Sequence, residues 1–266
     1  MAITGRVTVR GLEIVYDRAG QGPSLVLMHG IGANATAWRT QLTALSDTYD
    51  VIAWDAPGYG RSDDPPGDWP MAEYADSLAS FLDGLGIERA HLLGQSWGGV
   101  LAQQFYGAYP HRVRSLILSD TTLGGDAARP DTETRLQARL KAAATMTPAE
   151  FARVRAPQLL APDPPSDVLA EVEAIMAQTH MAGFRSAAIA LAHADTRDIL
   201  PRIAVPILVL CGELDSVTPP ALGTRLIGDI PGARRVVFAG TGHMGNMEQP
   251  DRYNATVREF LQGIVA

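Results

Sequence analysis

Six short apolar runs constrain this chain more than any other feature. They are SLVLMHG, DVIAWD, AHLLGQ, SLILSD, PILVLCG and RRVVFAG, and none alternates cleanly between apolar and polar residues. Such runs suit strands buried on both faces of a parallel sheet. Between them lie stretches with helical spacing, at 36–46, 72–85, 98–109, 220–230 and 251–263. Strand–helix alternation of this kind predicts an α/β fold with a mostly parallel, doubly wound central sheet flanked by helices. At the N-terminus, ITGRVTVR and LEIVYDRAG do alternate, and read as a hairpin around Gly11.

One region breaks the rhythm. From residue 123 to 198 there is no convincing strand, only Ala- and Leu-rich helical pieces at 131–146, 147–160, 166–179 and 181–194. Thr147-Pro148-Ala149-Glu150 reads as a capping box with proline at the first helical position. The segment follows one strand and precedes another, and it is far too long for a single crossover helix. Placed there, it sits over the C-terminal sheet edge, where ligands of open α/β sheets bind. The expected organisation is therefore a core of residues 1–122 and 199–266 carrying a helical lid, 123–198.

Composition excludes several classes. The net charge of −7 over 266 residues, with no basic block, leaves no footprint for nucleic acid. No apolar run reaches the ~18 residues that a membrane span needs, and MAITGRVTVR lacks the apolar core of a secretory signal. The lone Cys211 sits in PILVLCG and reads as a small buried hydrophobe. Together these point to a cytoplasmic protein. The oligomeric state stays open, a homodimer among the options.

The chemistry-bearing motif is Gly94-Gln95-Ser96-Trp97-Gly98. With 26 glycines in 266 residues, about 0.1 matches to G-x-S-x-G arise by chance, so context decides. AHLLGQ supplies a strand before it; Val100, Leu101, Gln104, Phe105 and Ala108 supply helical spacing after it. Strand, sharp turn and helix make a nucleophile elbow. The turn aims the Ser96 hydroxyl and the Trp97 N–H at one space, at the positive end of a helix.

A serine hydroxyl needs a base, and the base an orienting acid. Of six histidines, His91 lies within a strand, His111 in an exposed-looking turn, His180 and His193 in the lid, and His29 at a strand end. His243, in AGTGHMGNMEQP after the last strand, falls at the same sheet edge as Ser96 and is the expected base. Three aspartates end strands. Asp55 opens DAPGYGRSD and reads as a turn anchor. Asp215, in CGELDSVTP, is favoured as the acid, with Asp120 its competitor and Glu213 structural.

HGIGAN (29–34), DAPGYGRSD (55–63), GQSWGG (94–99), GELDSVTP (212–219) and GTGHMGNMEQP (240–250) together resemble the serine hydrolases of the α/β-hydrolase superfamily, over nearly the whole chain. The order Ser96, Asp215, His243 matches that superfamily. The resemblance implies that the backbone N–H of Ile31 joins that of Trp97 as oxyanion donor, that His29 is structural, and that Gly30, Trp97 and Met244 line the substrate pocket. ADTRDILPRIAVPILVLCGELDSVTPP and GHMGNMEQPDRYNATVREFL resemble the 3-oxoadipate enol-lactonase branch, although Trp97 stands where methionine is common there. A small-molecule ester or lactone is the implied substrate, with no cofactor or metal. Trp97 either shapes the pocket or packs beneath the lid. Any of Arg129, Arg135, Arg139, Arg153, Arg155 and Arg185 could pair with a substrate carboxylate, and Met146, Met176 and Met181 read as packing. The rival readings are hydrolysis of a carbon–carbon bond in a vinylogous diketone by the same residues, and a ligand receptor on the same fold.

Overall fold

A computed structural model describes residues 2–125, 130–228, 230 and 232–264. The chain opens with strands β1 (Ile3–Val9) and β2 (Leu12–Ala19), an antiparallel hairpin with Val9 opposite Leu12. Arg10 and Gly11 form its two-residue turn with φ of 52° and 85°, the left-handed pair that matches strand twist. Then follow β3 (Ser24–Met28), α1 (Arg39–Leu45), β4 (Asp50–Trp54), α2 (Met71–Gly84), β5 (Ala90–Gln95), α3 (Trp97–Ala108) and β6 (Val113–Ser119). After β6 come four helices without a strand among the described residues: α4 (Thr132–Thr145), α5 (Pro148–Arg155), α6 (Ser166–Met176) and α7 (Met181–His193). The chain returns through β7 (Ile207–Gly212), α8 (Pro220–Gly228), β8 (Arg234–Phe238), the single turn α9 (Gly245–Glu248) and α10 (Pro250–Gln262).

The eight strands lie in the order β1-β2-β4-β3-β5-β6-β7-β8, parallel from β4 to β8. Every residue of β4, β5 and β7 is buried. On one face, side chains of α2, α3 and α8 pack against Val26, Ile52, Leu92, Leu116 and Val209. On the other, α1 and α10 cover Leu25, Val51, Leu93, Ile117 and Leu208. A third apolar cluster joins α5, α6 and α7 to Ala37, Val217, Met244 and Met247.

Three expectations change. RRVVFAG is not buried on both faces: β8 is the sheet's edge, and Arg234 and Arg235 are exposed. An edge strand has a strand partner on one side only and tolerates exposed charge there; of β8 only Phe238 is fully buried. The helix expected over 147–160 stops at Arg155 and tightens into a 3₁₀ turn, Ala156–Leu159, because Pro157 has no N–H to give the ladder. The stretch 36–46 likewise opens as a 3₁₀ turn, capped by Asn34 Oδ1 accepting the Thr36 N–H at 2.9 Å. The capping box forms as its residues require: the Thr147 and Glu150 side chains bond reciprocally to each other's backbone N–H. Among the described residues no helix is long and apolar enough to cross a membrane.

Candidate active site

Ser96 is the one residue between β5 and α3. Its φ of 53° and ψ of −115° lie outside the regions open to L-residues, at a cost of about 1–3 kcal/mol. The neighbours over-determine it. Its N–H donates to the Ser119 carbonyl at 2.9 Å, and the Thr121 hydroxyl donates to its carbonyl at 2.6 Å. The flanking glycines answer a close approach of backbone. A Cβ on Gly94 would lie 2.2 Å from the Gly98 oxygen, and one on Gly98 would lie 2.3 Å from the Met28 oxygen. Trp97, the first residue of α3, carries a backbone N–H with no intrahelical acceptor.

His243 and Asp215 meet from the loops after β8 and β7, both buried. The imidazole Nδ1 lies 2.8 Å from Asp215 Oδ2. A carboxylate only accepts, so Nδ1 carries the proton and Nε2 is the free nitrogen base. The other carboxylate oxygen, Oδ1, accepts the N–H groups of Val217 at 2.7 Å and Thr218 at 2.9 Å. The Thr218 hydroxyl donates to Oδ2 at 2.5 Å and also lies 3.2 Å from His243 Nδ1. Burial alone would raise the Asp215 carboxyl. The charge and hydrogen bond of His243, with the Thr218 donors, outweigh it and hold the group at about 2.

Asp120, the competing acid, ends β6 beside this pair. It is fully buried, and burial together with the charge of Asp215 pushes its carboxyl well above the ordinary range. Its oxygens face the Gly212 N–H at 2.7 Å and the Ser119 hydroxyl at 2.9 Å. Two carboxyls this close do not both ionise, and here Asp215 keeps the charge. Asp120, Asp215 and His243 each bring a potential ligand atom within 4.8 Å of the others, as a cation site would. Every carboxyl oxygen among them already has a protein N–H or O–H as its hydrogen-bond partner, so the cluster is a closed hydrogen-bond network.

The His243 loop is tied to the helical segment above it. The His243 N–H donates to the Leu159 carbonyl at 2.8 Å. Glu248 accepts from the Ala161 N–H at 2.8 Å and the Gly242 N–H at 2.9 Å. From below, the Gln95 amide donates to the His243 carbonyl at 3.0 Å.

Gly30, Ile31, Ser96, His243 and Met244 line one cavity. Ser96, Trp97, Thr121, Val217 and Thr218 line a second, adjoining one. The Trp97 ring is fully buried among His29, Tyr59 and Tyr74. His29 holds its loop: Nδ1 bonds the Gly30 carbonyl at 2.9 Å, and Nε2 accepts the Ala56 N–H at 3.1 Å. Asp55 anchors its turn through the N–H groups of Ala35 and Arg61, and Glu213 accepts the Gly240 N–H. His91 is buried against Ser115, and burial pushes it down to about 4. His111 is exposed; His180 pairs with Asp64 at 2.8 Å. Met146, Met176 and Met181 pack in the third apolar cluster.

The arginines of the helical segment separate. Arg135, Arg139 and Arg155 line the cavities that hold Ser96. Arg185 pairs with Asp68 and Arg153 is exposed; Arg129 lies outside the described residues. Sequence reasoning missed Thr218, Gln95 and Glu248. Only Thr218 had a signal, as a hydroxyl residue three positions after the acid, where a strand-end carboxylate gathers local donors.

A family model described as alpha/beta hydrolase fold matches residues 23–250. The 3-oxoadipate enol-lactonase 2 of Acinetobacter baylyi is 29% identical over 262 residues, covering 96% of each chain. The 2-hydroxy-6-oxononadienedioate/2-hydroxy-6-oxononatrienedioate hydrolase of Burkholderia vietnamiensis is 32% identical over 279 residues, 94% of this chain and 91% of its own length. Among solved structures, a thermophilic esterase from Thermogutta terrifontis superposes with a TM-score of 0.91 at 29% identity, over 99% of this chain and 100% of that one.

Proposed function

The chain belongs to the α/β-hydrolase family, and from that premise we propose that it is a serine hydrolase of small carboxylic esters or lactones, working through an acyl-enzyme on Ser96. One observation carries the reading: Ser96, held at a strained turn, opens onto the same cavity as His243, whose Nδ1 is bonded to an ionised, buried Asp215.

In this mechanism the Ser96 oxygen attacks the substrate carbonyl while His243 Nε2 takes its proton. Asp215 fixes the tautomer and stabilises the imidazolium. The backbone N–H groups of Trp97 and Ile31 receive the oxyanion. The imidazolium proton passes to the leaving alkoxide, which departs as alcohol or as the opened end of a lactone. Water then attacks the acyl-enzyme, giving its proton to His243, and the carboxylic acid leaves with Ser96 restored. Residues 123–198 act as the lid over this site, on the core of 1–122 and 199–266.

The relatives named as an enol-lactonase and an esterase support an ester or lactone substrate. The Burkholderia relative, named for an oxo-dienedioate, supports a second reading, carbon–carbon bond hydrolysis by the same residues. The test is turnover of p-nitrophenyl acetate and butyrate, a set of lactones and a ring-fission dienoate. Ester or lactone hydrolysis is expected, with kcat lowered at least ~10³-fold in Ser96→Ala and folding intact. Turnover of the dienoate alone would favour the second reading. No ester or lactone turnover would overturn the first.

A further inference from the structure

His243 is held by its backbone as well as by its ring. Its N–H donates to the Leu159 carbonyl at 2.8 Å, and its carbonyl accepts from Gln95 Nε2 at 3.0 Å. The two rigid peptide planes that flank a residue set the direction of its Cα–Cβ bond, so these two bonds aim the imidazole at Asp215. On either side, Glu248 accepts the N–H groups of Gly242 at 2.9 Å and Met244 at 3.3 Å. Of the three residues that supply these ties, only Gln95 belongs to the strand that carries the nucleophile. It is the last residue of β5, and Ser96 follows it directly.

The Gln95 side chain is buried and reaches a third part of the site as well. It lines the cavity of Ser96 and His243 together with Gly30 and Ile31. A Cβ on Gly30 would lie 2.1 Å from Gln95 Oε1 and 3.2 Å from Ser96 Cβ. Room for the amide therefore calls for glycine at this point of the loop before Ile31. Nε2 also lies 3.8 Å from the Met244 sulfur. One carboxamide thus sits among the serine turn, the Ile31 loop and the His243 loop. Gln95 and His243 are 148 residues apart in the chain, and no single helix or strand spans them. Through Gln95, the path from Ser96 to the His243 backbone is one peptide bond and one hydrogen bond.

We infer that Gln95 is a positioning residue: its carboxamide fixes the His243 backbone to the strand that carries Ser96, and so sets the distance over which the serine proton moves to Nε2. The inference rests on the serine-hydrolase reading for the reaction, and on the hydrogen bonds alone for the geometry. A displacement of about 1 Å between reacting groups costs on the order of 10²-fold in rate. The bond joins one part of the protein to another and holds no substrate, so its loss falls on kcat and spares KM. The ties from Leu159 and Glu248 remain without it, so the loop keeps its fold.

The experiment replaces Gln95 with methionine, which keeps the length of the side chain and removes the donor. Gln95→Met is expected to lower kcat for p-nitrophenyl butyrate about 10- to 100-fold, with KM nearly unchanged. The proton NMR signal of the His243 Nδ1–H, shifted downfield by its bond to Asp215, should weaken or broaden, because the ring no longer stays against the carboxylate. A merely structural role predicts a lower thermal midpoint with kcat and the Nδ1–H signal intact, and that result would overturn the inference. So would a kcat within about 2-fold of the native value, less than one hydrogen bond is worth. A raised KM with kcat unchanged would also overturn it, making Gln95 a substrate contact instead. If Gln95→Met fails to fold, Gly30→Ala displaces the amide from outside, and the Nδ1–H signal reads the result: its loss supports the inference, and an unchanged signal overturns it. If the native protein hydrolyses no ester or lactone, the hydrolase reading falls, and the same NMR comparison still decides whether Gln95 holds His243 in place.

Discussion

Asp215 and Asp120 lie side by side, yet replacing each with asparagine has opposite consequences. Asp215 Oδ1 accepts two backbone N–H groups, so the amide oxygen of Asp215→Asn must stay there. Its NH2 then faces the His243 Nδ1–H and the Thr218 hydroxyl, and donor meets donor. His243 escapes by moving its proton to Nε2, the nitrogen that receives the serine proton in the proposed mechanism. The expected loss in kcat is about 10³- to 10⁴-fold. Stability falls as well. Holding a buried carboxyl at about 2 against an ordinary 3.8 corresponds to about 2 kcal/mol. Because the folded value is the lower one, this stabilisation is complete above about pH 4 and fades as the pH falls toward 2. The gap between native protein and Asp215→Asn therefore closes in that window. Asp120 has the reverse sign. Its folded value is raised, so its contribution to stability declines as pH rises above the ordinary 3.8. Asp120→Asn mimics the neutral acid, bonding the Gly212 N–H through oxygen and the Ser119 hydroxyl through NH2. It should keep kcat within about 10-fold and gain on the native protein in urea midpoint from pH 5 to pH 8. The assays are p-nitrophenyl butyrate turnover and urea denaturation. A greater loss of kcat in Asp120→Asn than in Asp215→Asn would refute the reasoning.

Two further predictions test the packing. Gly98→Ala forces a Cβ to 2.3 Å from the Met28 backbone oxygen, which cannot step aside, and should cost about 1–3 kcal/mol or more; Gly67→Ala, with nothing within 4 Å, should be close to neutral. Equal thermal midpoints for the two would show that the turn yields more than the geometry allows. Burial pushes the Cys211 thiol up to about 12, so 5,5′-dithiobis(2-nitrobenzoic acid) at pH 8 should label it in urea and not in the native protein; prompt native labelling would contradict its burial.

Much of this was legible from residues alone, because it rests on local pattern. The apolar runs located the strands, and GQSWG between a strand and a helical period located the turn. Contacts between distant segments were not legible. That Asp120 is held neutral follows from a β6 end lying against the loop after β7, and no local pattern records that proximity. Thr218 reaches Asp215, His243 and the Asp120 carbonyl only because those loops converge. The six arginines of the helical segment look alike in sequence. Only the convergence of α4 and α5 on the same cavities separates Arg135, Arg139 and Arg155, on the walls, from Arg153 and Arg185. The edge position of β8 was hidden for the same reason, since strand order is a property of the whole sheet.

The bonds from Leu159 and Ala161 to the loop of His243 and Glu248 limit how the helical segment can move. A swing of the whole helical segment as one rigid flap would break those bonds and pull the imidazole out of register with Asp215. Such a door would disarm the site each time it opened. Any movement of the helical segment that keeps the site intact must therefore leave the end of α5 in place.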